Sequence, residues 1–167
     1  NYFVDFLADK KKEYFYALYL DTKNRVISEK LVSKGTLNAS VIHPREVFNP
    51  AIRASCNAVI LVHNHPSGDL KSSANNIDIT DRLMVVGKIV DTPVLDHLII
   101  SETEYYSFEK IGLIKELEKS LKFKPTFIIE DEIKEQISKN INRERSFEIA
   151  KEMKKQKVEN TIIAQCT

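Results

Sequence analysis

The 167-residue sequence holds only two cysteines, no tryptophan, four glycines and five prolines. Cys56 and Cys166 stand far apart and form neither a CxxC pair nor a disulfide framework, which suits a reducing compartment. Charge of one sign is also lacking: 25 basic side chains meet 24 acidic ones, for a formal net charge of +1. No whole-chain field draws the protein to nucleic acid, so a DNA or RNA partner is not expected from the balance. Long apolar runs are missing as well. The longest, Ala58 to Val62, is far too short to span a bilayer. The opening Asn1-Tyr2-Phe3-Val4-Asp5 lacks the basic region and apolar core of a secretory signal. The expectation is a soluble cytoplasmic protein with no membrane association.

What is present is ordinary for a globular chain, with 43% hydrophobic and 29% charged residues, and the length allows one compact domain with an appendage. The distribution is uneven. All four histidines and all four glycines fall within the first 112 residues, and only Pro125 follows among the prolines. This divides the chain into a domain over residues 1–111 and a helical extension over 112–167. The extension stops at Gln165-Cys166-Thr167, just after an apolar stretch of helical character, and reads as cut short.

Glu13 to Leu20 is aromatic and aliphatic and ends at the turn signal Asp21-Thr22-Lys23-Asn24, and Arg25 to Ser33 alternates as a second strand closing a hairpin. Gly35 to Val41 reads as a short extended piece. From Pro44, the residues Val47, Phe48, Ala51, Ile52 and Ser55 recur at helical spacing, and Pro50 is expected to kink that helix or end its first part. Asn57 to Val62 is a continuous apolar run, as in a strand covered on both faces. Ser73 is a candidate cap for a helix carrying Ile77, Leu83, Met84, Val86 and Val90 to a core. Pro93 to Ser101 is another strand, and Tyr105 to Phe108 adds a short one. Further helices are expected over Gly112–Lys122, Glu130–Asn142 and Arg145–Lys157. The order indicates an α/β or α+β core. The extension helices need an apolar partner: the core, each other, or a second copy of the chain in a homodimer.

The residues with chemistry sit where the apolar strand ends, in His63-Asn64-His65-Pro66-Ser67-Gly68-Asp69. On extended chain, two histidines two residues apart project to the same side. Imidazole is the commonest neutral ligand for zinc, and a hydrolytic zinc site needs three protein ligands and an open position. A lone HxH pair reads more often as a solvated turn or a capped histidine.

That segment together with Ser73 resembles the JAMM motif of the MPN/JAB metalloprotease superfamily, in its bacterial RadC branch. The motif runs His-x-His-Pro, six residues, Ser, two residues, Asp. Leu18 to Arg25, Gly35-Thr36-Leu37, His43 to Phe48, and Val94-Leu95-Asp96-His97-Leu98-Ile99-Ile100 are similar to further RadC blocks in family order, so the resemblance covers roughly residues 2–110. It implies an MPN/JAB-like, cytidine-deaminase-like fold: a mixed β-sheet flanked by helices, here with a C-terminal helical extension. It also implies a zinc-dependent hydrolase of peptide or isopeptide bonds acting on a protein or peptide substrate. His63 and His65 match the histidine ligands. Ser73 matches the serine that steadies the tetrahedral intermediate, and a simple helix cap is its other reading. Glu13 matches the catalytic glutamate at the start of the first core strand, or else is a solvated strand end, with Glu46 and Glu29 as replacements. His97 stands either as a support behind the ligands or as a hydrogen-bonded core histidine.

One position departs from the pattern. The aspartate ligand belongs eleven residues after His65, and that residue is Asn76. Asp78 stands about 200° further around the helix at 100° per residue and is expected to point away, and Asp69 would need a rearranged loop. An asparagine offers a neutral carbonyl oxygen in place of a charge, so metal affinity is expected to fall. Three explanations follow from the substitution. The site works with a weaker ligand, or it has lapsed in a binding or scaffold module, or residue 76 is a deliberate replacement. A DNA-repair role rests only on the name of the RadC family. Elsewhere, His43 reads as a helix-entry residue, and Cys56 as a small buried hydrophobe rather than a nucleophile.

Overall fold

The structure is a computed structural model that describes residues 6–7, 10–35, 42–66, 68, 70, 72–101 and 104–166, with side chains described as far as 155. By contact density it divides into two compact units, Asn1–Phe123 and Lys124–Thr167.

The first unit is built on one five-stranded mixed sheet in the order β2-β1-β3-β4-β5. β1 (Tyr14–Leu20) and β2 (Val26–Lys34) form the expected hairpin. Its turn is closed by Asp21, whose carboxylate accepts from the backbone of Lys23 and Arg25 and pairs with the Arg25 guanidinium. β3 (Ala58–Asn64) lies antiparallel to β1 and parallel to β4 (Val94–Ile100), while β5 (Tyr105–Ser107) returns antiparallel along β4. The parallel step from β3 to β4 needs a crossover, and α2 (Ala74–Ile89) supplies it.

Both faces of the central strands β1 and β3 are covered, while β2 is largely exposed. One face carries Phe15, Ala17, Tyr19, Val59 and Leu61 against Val47, Phe48 and Ala51 of α1 (Pro44–Arg53) and Ile79 and Leu83 of α2. The other carries Tyr16, Leu18, Val62 and Ile100 with Leu7. This explains the unbroken apolar run of β3, since a strand buried on both sides has no polar face to alternate with.

Several local expectations meet different outcomes. Pro50 lies inside α1 without ending it. Its neighbours Val47, Phe48 and Ala51 are buried, and their packing outweighs the lost backbone bond. Ile52 falls off the apolar face and is exposed, and Ser55 leaves the helix with a positive φ of 49°. β3 runs two residues further than the apolar composition suggested, taking in His63 and Asn64. The helix expected to reach Lys122 ends early as α3 (Leu113–Leu117), with Ile114 and Leu117 buried beside Ile99 and Phe108. Leu121 is exposed, so no contact rewards another turn. In the second unit, the two expected helices are one, α4 (Thr126–Cys166). Asn142 to Glu144 contains no proline or glycine to interrupt it. The extended piece expected over Gly35–Val41 falls, beyond Gly35, outside the described residues. Among the described residues no helix is long and apolar enough to cross a membrane.

Helices α1 and α2 meet at Gly87. A Cβ built there would stand 2.7 Å from the Thr92 carbonyl oxygen and 3.2 Å from the Phe48 ring. Gly87→Ala should destabilise the first unit by about 1–3 kcal/mol in urea unfolding, because overpacking against a backbone atom exceeds the helix propensity that alanine adds. An unchanged midpoint would mean the helices are not in this close contact.

Candidate metal centre

Strand alternation and register assemble the site. On β3, Leu61 and His63 share a face. β4 sets His97 beside Leu61 and Ile99 beside His63, and β1 sets Phe15 opposite His63. His63 and His97 are fully buried, with the Phe15 ring stacked on His63 at a centroid distance of 6.0 Å and edge-on to His97 at 5.5 Å. His65 follows the strand end, its N–H donating to the Ile100 carbonyl at 3.0 Å. The chain then turns through Gly68, whose φ of 74° favours a residue without a Cβ.

Helix α2 brings the remaining groups. Ser73 is its N-cap, with Oγ accepting from the Asn76 N–H at 3.2 Å. That bond fixes the first turn and leaves the hydroxyl hydrogen of Ser73 for another acceptor. Asn76 is buried, and its side-chain nitrogen lies 3.2 Å from His65 Nε2. His65 Nε2 in turn lies 2.9 Å from His63 Nε2. The ends of His63, His65 and Asn76 therefore converge, and turning the Asn76 amide over would present its oxygen in the place of its nitrogen. Behind them, His63 Nδ1 lies 2.7 Å from His97 Nε2.

Burial dominates the electrostatics of the two inner imidazoles. Burial, then the neighbouring His97 and His65, holds His63 well below the usual histidine range. Burial, then His65, pushes His97 down to about 3. Asp78 points elsewhere: its two oxygens accept from Lys122 Nζ at 2.6 and 2.7 Å. Asp69 lies outside the described residues. Among the described residues no three histidine, cysteine, aspartate or glutamate side chains are grouped so as to hold a metal ion.

Glu13 immediately precedes β1, and its carbonyl accepts from the Gly35 N–H at 2.8 Å. The β1–β3 ladder ends at Phe15 opposite His63, so Glu13 enters β1 at the end of the sheet where β3 delivers His63. Glu46 pairs with Lys30 and Arg45. Glu29 lies on β2 opposite Leu18.

Two residues that motif spacing does not single out belong to the site's frame. Asn64, buried between the two histidines, accepts from the Tyr14 N–H at 2.8 Å and donates to the carbonyls of Lys12 and Lys10 at 3.0 and 3.3 Å. It pins the segment that carries Glu13. Thr80 lies buried on α2 one turn after Asn76, its Oγ1 2.6 Å from His97 Nδ1. Only the alternation of β3 hinted at Asn64, and no local signal marks Thr80. Cys56 is buried, and burial raises its thiol pKa, leaving it a poor nucleophile at neutral pH. His43 precedes α1 as its N-cap without a side-chain cap bond.

Comparison with known proteins places this geometry. The model of the RadC-like JAB domain matches residues 1–113. A UPF0758 protein of Geobacter sulfurreducens is 52% identical over 114 residues, 68% of this chain and 50% of that protein. One of Finegoldia magna is 56% identical over 98 residues, 59% of this chain and 44% of that protein. One of Methanosarcina mazei is 48% identical over 109 residues, 65% of this chain and 48% of that protein. The chain thus spans about half the length of the curated relatives it matches.

Proposed function

From the premise that the chain belongs to the RadC-like JAB domain family, we propose that it is a zinc-dependent hydrolase of peptide or isopeptide bonds with a ligand set weakened at Asn76. The observation that carries this reading is the convergence on His65 Nε2, which lies 2.9 Å from His63 Nε2 and 3.2 Å from the Asn76 amide nitrogen. Two imidazole lone pairs at that separation repel unless a proton or a cation lies against them. Neutral imidazole is an ordinary zinc donor, and the Asn76 amide oxygen is a weaker one that lacks the negative charge a carboxylate adds, so the residues fit the ion with two good donors and one poor one. His63, His65 and Asn76 would hold it.

When bound, zinc would supply Lewis acidity toward a carbonyl oxygen and would lower the pKa of water toward neutrality. The rest is the work of the chain. Glu13 accepts the proton of the attacking water and delivers it to the leaving amine, a general base and then a general acid. Ser73 donates its free hydroxyl hydrogen to the oxygen on which negative charge develops. The apolar walls of Phe15 and the sheet keep His63 and His97 dry, which strengthens each of these interactions. The substrate is a protein or peptide.

The second reading is a RadC-type binding or scaffold module whose site has lapsed, and Asn76 is the observation that favours it. Calorimetric titration with Zn2+ and a fluorogenic peptide assay separate the two. The hydrolase binds one zinc ion per chain, loses it in His65→Ala, and cleaves in a chelator-sensitive way. Glu13→Gln should retain zinc and lose about 10²–10⁴-fold in turnover. Absence of zinc uptake at millimolar metal, with no cleavage, would leave the binding module.

A further inference from the structure

Behind His63 the distances order the protons. Thr80 Oγ1 lies 2.6 Å from the Asn76 carbonyl oxygen and 2.6 Å from His97 Nδ1. Two heavy polar atoms this close need a hydrogen between them. A peptide carbonyl has none to give, so the single hydroxyl hydrogen of Thr80 points to Asn76 O. Toward His97 the hydroxyl therefore presents a lone pair, and His97 Nδ1 must be the donor.

His97 is fully buried, and its described contacts are Thr80, His63, Phe15 and Phe108 with no carboxylate among them. A ring so placed is neutral, because an unpaired buried charge is costly. With its one hydrogen on Nδ1, its Nε2 is bare. The 2.7 Å separation from His63 Nδ1 then requires that His63 donate from Nδ1. His63 is likewise fully buried and neutral, so its Nε2 is left as a lone pair facing His65.

We propose that Thr80 and His97 form a one-way hydrogen-bond relay that locks His63 in the Nδ1–H tautomer and so delivers its Nε2 lone pair to a cation. Thr80 is a positioning residue, acting through His97 at a distance from the ligand atoms. The proposal deepens the reading of the preceding subsection, on which it rests for the identity of the cation. The relay starts from the backbone of Asn76, so one turn of α2 both offers the third ligand and orients the first. Phe15 and Phe108 flank His97 at centroid distances of 5.5 and 4.8 Å, which denies water the chance to supply an alternative donor.

The test is the imidazole 15N spectrum of the metal-free chain, where long-range couplings distinguish the two tautomers. His63 and His97 should both be Nδ1–H. Thr80→Val keeps the bulk and removes the acceptor. His97 is then expected to turn to Nε2–H, His63 to follow, and Zn2+ affinity, measured with the metal alone, to fall about 10–100-fold as for other groups that orient a ligand from behind. Thr80→Ser should restore tautomer and affinity together. His63 found as Nε2–H in the wild type, or unchanged in Thr80→Val, overturns the relay. If Thr80→Val does not fold, the wild-type and Thr80→Ser spectra decide, Nδ1–H in both supporting the relay. Nδ1–H tautomers without zinc uptake would refute the metal reading and uphold the proton order, whereas zinc uptake with His63 as Nε2–H would refute the relay alone.

Discussion

Asn76→Asp should bind Zn2+ about a hundredfold more tightly than the wild-type chain, roughly 3 kcal/mol at 1.4 kcal/mol per decade, and should raise chelator-sensitive cleavage with it. The side chain already lies 3.2 Å from His65 Nε2, so the replacement needs no new backbone path. It exchanges a neutral acceptor for a charged one among otherwise neutral donors, and charge-assisted contacts are about twice as strong as neutral ones. Two effects act on the metal-free protein in opposite directions. A carboxylate at this buried position must be desolvated, but Asn76 is the third residue of α2, where the helix dipole favours negative charge by about 0.3–1 kcal/mol, and the first turn now holds no acidic residue. Thermal stability without zinc should therefore change little, and stability with zinc should rise as ligand binding to the native state dictates. Calorimetry and thermal melts with and without metal read both. Equal zinc affinities in the two proteins would mean that residue 76 is not a ligand, and would remove the support for the hydrolase reading.

Much of this arrangement was legible from residues alone, and what was not has a common cause. The apolar run before His63, the HxH spacing and Ser73 as a cap are local patterns, and the elements follow them closely. The relation of Asp78 to the site was also local: two steps along a helix carry it away, and it meets Lys122. Pairings across long sequence separations were hidden. Nothing near Thr80 indicates a bond to His97, because β3 and β4 must be in register before the ring stands over α2. The lengths of α3 and α4 failed for different reasons. Gly112 to Lys122 has helical spacing, but helices shorter than three or four turns depend on packing, and beyond Leu117 there is none for Leu121. Over Glu130–Lys157 two helices are expected where one runs, and no proline or glycine between Asn142 and Arg145 opposes its continuation. Pro50 shows the converse, a genuine breaker overridden by buried neighbours.

Asn64 carries the other large prediction, because its amide joins the metal-binding strand to the segment bearing Glu13. Its oxygen satisfies the Tyr14 N–H, and its nitrogen satisfies the carbonyls of Lys12 and Lys10. The residue is buried, so a leucine of similar size leaves these groups without partners, at about 1–3 kcal/mol for each one that stays dry. Water can reach the partly exposed end of the segment, which limits the loss. Asn64→Leu should therefore cost about 2–4 kcal/mol in urea unfolding. The effect on function should exceed the effect on metal. His63 is held by strand pairing on both sides and the His65 backbone by the Ile100 carbonyl, so zinc binding should persist within a few fold. Glu13 lies in the segment that the Asn64 amide ties down on both sides, at Lys12 and Tyr14, and its displacement by an ångström is enough to lower turnover about a hundredfold. Asn64→Asp gives the control: it keeps the acceptor for Tyr14 and loses the two donations, and should fall between wild type and Asn64→Leu in both measurements. Loss of zinc and turnover in equal proportion would show that Asn64 serves the histidines, while unchanged turnover in a destabilised protein would show that Glu13 is not the base.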